Sequence, residues 1–102
     1  MQRINGGGGP TIRVYTQEAD GAWEDWQEDF ELSDFGGFLP AVGDMILHPG
    51  VRQGLDRYDA SNRKMLTVVQ RVFNPRDLKD YIALVVTASV PTDREAKMVS
   101  PR

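Results

Sequence analysis

One histidine, His48, and no cysteine set a low ceiling on the chemistry this chain can perform. A serine-type triad would have to be assembled on that single imidazole, and Ser33, Ser61, Ser89 and Ser100 all lack the sequence context of a nucleophile elbow. One imidazole without a thiolate also makes a poor zinc site. Flanked by Leu47 and Pro49, His48 is expected at a strand end as a surface or hydrogen-bonded residue. The carboxylates between Glu18 and Asp34 are of the type that ligates calcium or works as an acid pair. They include no Asp-x-Asp-x-Asp-Gly loop, and strand alternation spreads them over a solvated face. Gly6 to Gly9 lack the Lys-Ser/Thr that a phosphate cradle requires. The expectation is a non-enzyme with no catalytic residue, no metal and no cofactor.

Binding is the remaining chemistry, and two groups of residues could carry it. Trp23, Trp26, Phe30, Phe35 and Phe38 lie among acids and form a candidate interface or ligand pocket. Tryptophan is enriched at interface hot spots, and aromatic rings beside carboxylates can hold an organic cation. Packing in the core is the competing assignment. Arg52, Arg57, Arg63, Lys64, Arg71 and Arg76 form a candidate basic surface interleaved with Tyr58, Phe73 and Tyr81. Small barrels hold single-stranded nucleic acid with such a mixture of cations and aromatic rings.

The net charge of -3 and a pI near 5.0 weigh against nonspecific nucleic-acid binding. The charge is also divided. Up to Val51 only Arg3 and Arg13 oppose nine carboxylates, whereas from Arg52 onward ten bases face six acids. Complementary acidic and basic surfaces suit self-association, so a homo-oligomer or another protein partner is expected, with a small-molecule ligand as an alternative. The absence of cysteine favours a reducing, cytoplasmic setting, and no stretch approaches the roughly 20 apolar residues of a membrane span.

The elements that must position these residues are mostly strands. Length fits one domain: a flexible glycine-rich leader over 1–9, a single β-barrel-like unit over 10–91, and a flexible charged tail over 92–102. Thr11 to Gln17 alternate with Ile12 and Val14 on one face, as in a half-buried strand. Asp20-Gly21 then suits a hairpin turn. Trp23 to Leu32 is ambiguous: the spacing of Trp23, Trp26 and Phe30 also fits one short acidic helix. The preceding hairpin signal favours a strand with Trp26, Phe30 and Leu32 on one face. The loop Asp34 to Pro40 carries Phe35, Phe38 and Leu39, which are expected to cap the open end of a core. Met45 to Leu47 forms a short third strand, and Val51 to Lys64 a long polar loop. Met65 to Phe73 is a strand with Leu66, Val68 and Val72 on a shared face. Tyr81 to Val90 is apolar on both faces and should be central.

The Pro40-Ala41-Val42-Gly43-Asp44 turn, feeding Met45-Ile46 and followed by Val68 to Phe73 and Ile82 to Val86, resembles small SH3-like barrels over about half of the chain. The resemblance implies a mainly β fold, a small five-stranded antiparallel barrel or roll. The resulting expectation is a non-catalytic interaction module of the bacterial or phage accessory kind, acting through protein contacts and self-associating. An organic-cation binder and a single-stranded nucleic-acid barrel are the alternatives.

Overall fold

The computed structural model describes residues 9–100. The glycine leader expected over 1–9 lies outside the described residues except for Gly9. Five strands appear in chain order: β1 (Thr11–Gln17), β2 (Trp23–Glu31), β3 (Met45–Leu47), β4 (Met65–Asn74) and β5 (Leu78–Ser89), followed by one short helix, α1 (Asp93–Met98). Single 3-10 turns occupy Leu32–Phe35 and Ala60–Asn62. The protein is mainly β, and its sheet curls into a half-barrel.

The sheet order is β2-β1-β5-β4-β3. β1 and β2 form the hairpin that Asp20-Gly21 signals: Gly21 adopts φ 88, and Asp20 Oδ1 accepts the Ala22 N–H at 2.9 Å. One expectation is corrected at the centre of the sheet. β1 and β5 run parallel, from Thr11 opposite Tyr81 to Thr16 opposite Val86, so the sheet is mixed rather than all-antiparallel. The chain between β1 and β5 is long enough to make that crossover, which a two-residue turn cannot.

Burial follows the alternation read from the sequence. Ile12, Val14, Leu66, Val68, Ile82, Leu84 and Val86 form the concave core, and Trp26, Phe30, Leu32, Phe35, Leu39 and Ile46 pack partly buried against it. Each fully buried Leu or Val contributes about 1.5–3 kcal/mol relative to exposure. β5 is central, as its two apolar faces require; Val85, pointing away from Leu84 and Val86, is also fully buried. On that convex face Tyr15 and Tyr81 share a hydroxyl hydrogen bond of 2.6 Å. Arg13 forks onto Asp29 at 2.8 and 3.2 Å and reaches Asp25 at 3.5 Å.

Three further expectations change. Val72 does not share the face of Leu66 and Val68, because a bulge between Val68 and Gln70 shifts the register by one and turns Val72 outward, opposite Ala83. Phe38 does not cap the core: it is 79% exposed, whereas Phe35 and Leu39 pack inward. The segment after Pro91, expected to be a flexible tail, forms α1. Thr92 accepts the Glu95 N–H, and Glu95 accepts the Thr92 N–H, in a reciprocal capping box.

Among the described residues no helix is long and apolar enough to cross a membrane.

Candidate functional site

β2 and β3 are the two outer strands of the sheet, and the curl brings them toward one another without strand pairing. Side chains close the gap. Trp26 and Glu28, on the inward face of β2, meet His48, which follows β3 directly. The Trp26 and His48 rings meet edge to face at 5.1 Å, and His48 Nε2 lies 2.6 Å from Glu28 Oε1. Gly50 N–H donates to His48 Nδ1 at 3.1 Å, so the ring proton resides on Nε2 and is donated to the carboxylate. From the residue before β4, Lys64 Nζ sits 5.1 Å over the Trp26 ring.

The loop from Val51 to Lys64 is tied to this seam. Arg63 donates to the Arg57 carbonyl at 2.8 Å and to the His48 carbonyl at 3.1 Å, and Arg57 donates to the Pro49 carbonyl at 3.2 Å. Asp59 caps the turn Ala60–Asn62 by accepting from Ser61. That hydrogen bond holds its carboxyl below the ordinary carboxylate range. Arg63 Nε is buried without a partner among the described residues. Burial, together with the charge of Arg57, lowers the Arg63 guanidinium from its ordinary value.

Two cavities share the walls Trp26 and Lys64. One, of about 570 Å³, is bounded by His48, Arg52, Leu55 and Arg63. The other, of about 760 Å³, is bounded by Thr16, Glu18, Glu24 and Thr87. The same tryptophan thus separates a basic cleft from an acidic one.

The second candidate surface is the distal half of the β4–β5 hairpin. β3 covers β4 only over Met65 to Thr67, and Gly43 and Asp44 extend the pairing to Val68. From Val69 to Asn74, β4 is a sheet edge. Val69, Val72, Phe73 and Leu78 are exposed there, and the Arg71 guanidinium lies 5.8 Å over the Phe73 ring.

The residues expected to form one aromatic pocket occupy separate places. Trp26 stands in the seam. Phe30 and Phe35 pack on each other at 5.5 Å against the core, while Trp23 and Phe38 are largely exposed. The basic residues divide as well: Arg52, Arg63 and Lys64 line the seam cleft, Arg57 lines a neighbouring cavity beside α1, and Arg71 and Arg76 lie on the hairpin. Sequence reasoning placed His48 as a surface or hydrogen-bonded residue and did not name Glu28 as its partner or Lys64 as the cation over Trp26. No local spacing encodes either pair.

No protein-family model, no curated protein and no solved structure matches this chain.

Proposed function

We propose that this chain is a non-catalytic interaction module that acts through protein contacts and associates with a second copy of itself along the free edge of β4. The observation that carries this reading is the edge from Val69 to Asn74, where exposed apolar side chains adjoin strand backbone with no neighbouring strand among the described residues. Such an edge is a template for strand addition, and an apolar one favours it.

The register of the contact follows from elementary constraints. Val68 directs its backbone groups to Asp44 and Gly43, on the side away from β5. Past the bulge, ladder alternation directs the N–H and C=O groups of Arg71 and Phe73 to that same side. An antiparallel pair of β4 strands centred on Val72 sets Arg71 opposite Phe73 of the second copy and forms two hydrogen-bonded pairs. Centring on Arg71 instead opposes like charges. In the favoured register, Arg76 of one copy approaches the second copy's turn containing Asp44, an opposite charge. The twofold contact closes on itself and leaves no growing edge.

The likeness to SH3-like barrels is retained here for the β3–β4–β5 meander alone, and the lack of cysteine supports a cytoplasmic location. Sedimentation equilibrium tests the reading. The wild type is expected to dimerise at micromolar concentration, and Val72→Lys and Arg76→Glu to shift it to monomer with an unchanged far-ultraviolet spectrum. A wild-type monomer at high micromolar concentration overturns the self-association.

A further inference from the structure

The seam cleft has a composition opposite to the acidic aromatic pocket that the sequence suggested. Arg52, Arg63 and Lys64 stand around it with Trp26, Leu55 and Val90, and among the described residues that line it none is acidic. Its volume of about 570 Å³ lies within the range of small-molecule sites. The charges are also uncommitted: among the described residues neither Arg52 nor Lys64 makes an ion pair, and Lys64 is held by the π face of Trp26. A cation on that face already occupies the place an organic cation would take.

We infer that the seam cleft is a binding site for a small organic carboxylate, with its anionic head toward Arg52 and Lys64 and its apolar body against Trp26, Leu55 and Val90. Arg63 contributes field rather than contact, since its two terminal nitrogens donate to the carbonyls of Arg57 and His48 and its Nε is buried. Gly50 keeps the cleft open beside His48: a Cβ at that position would stand 2.7 Å from His48 Cε1. A single anionic group fits better than a nucleic-acid strand. Beyond Trp26 the adjoining cavity presents Glu18 and Glu24, which repel a continuing phosphate chain. The nearest base of the other basic group, Arg71 on the β4–β5 hairpin, is seven residues from Lys64, about 23 Å along β4 at roughly 3.3 Å per residue.

The test uses the full chain carrying Trp23→Phe, so that Trp26 is the fluorescent reporter. Phenylacetate is the probe, and phenethyl alcohol, phenethylamine and a short oligothymidylate are the comparators. Phenylacetate is expected to change Trp26 fluorescence saturably and to weaken with added salt. Phenethyl alcohol should bind roughly tenfold more weakly, the factor for losing one charge-assisted contact. Isothermal titration should show a similar loss in Arg52→Gln and in Lys64→Gln; Arg52 is exposed and makes no ion pair among the described residues, so its variant is expected to keep the fold. Equal binding of the alcohol, preference for the amine, no saturable response to phenylacetate, or tighter binding of the oligothymidylate would each overturn the inference.

Discussion

His48 and Glu28 meet at 2.6 Å between segments that belong to opposite edges of one sheet. The contact matters because no backbone ladder joins β2 to β3, so closure of the half-barrel rests on side chains. A neutral imidazole N–H donating to a carboxylate is a charge-assisted hydrogen bond, but Glu28 is partly solvated, which reduces its net worth. Glu28→Ala and His48→Ala should each destabilise the fold by about 1–2 kcal/mol, with a coupling of about 1 kcal/mol in the double variant. Urea unfolding measures all three. Strictly additive losses would show that the pair does not hold the seam.

Gly50 controls the same ring from the other side. Its N–H donates to His48 Nδ1, and a Cβ at this position would lie 2.7 Å from the ring. Gly50→Ala therefore forces the imidazole to move, which disturbs its hydrogen bond to Glu28 and its edge contact with Trp26. The expected cost is about 1–3 kcal/mol, typical of overpacking. Near-ultraviolet circular dichroism should change through Trp26. An unaltered spectrum with wild-type stability would mean the ring has room to retreat.

The parts of the fold legible in the sequence are those that local alternation encodes. Ile12 and Val14, and Ile82, Leu84 and Val86, read as inward faces and are inward; Asp20-Gly21 reads as a turn and is one. The strand over Trp23–Glu31 became legible only through that turn, since its aromatic spacing also fits a helix. What failed depends on distant segments. The direction of β1 against β5 is set by the path of the whole chain between them, and the bulge at Val69 inverts Val72 without any glycine to announce it. The capping box of α1 was available as Thr92-x-x-Glu95 but was hidden in a charged terminal segment. At the site, the types of residue were visible, yet the pairing of Trp26 with Lys64 is a product of sheet curvature. That pairing turned an expected acidic pocket into a basic one.

Thr16 offers a test of burial without compensation. It points into the core with 5% exposure, and its Oγ1 has no hydrogen-bond partner among the described residues. A buried hydroxyl without a partner costs about 1–3 kcal/mol, and valine has the same shape without the polar atom. Thr16→Val is thus expected to stabilise the protein by about 1 kcal/mol, seen as a raised midpoint in urea with an unchanged slope. Loss of stability would mean the hydroxyl is satisfied in solution, by a water for example.

Tyr81 gives the fold a stability contribution that depends on alkaline pH. Burial, together with its 2.6 Å hydrogen bond to Tyr15, pushes its phenol from 10.0 up to about 12, against a smaller opposing effect of Arg13. The folded state therefore favours the neutral phenol more than the unfolded chain does. That preference contributes fully below pH 10.0 and is lost as the pH rises toward about 12. Titration of phenolate absorbance should resolve a late transition that is absent from Tyr81→Phe. Tyr15→Phe removes the hydrogen bond but leaves the burial, so it should lower the late transition only in part. A Tyr81 that ionises near pH 10.0 in the native protein would show that the Tyr15–Tyr81 pair is open to solvent.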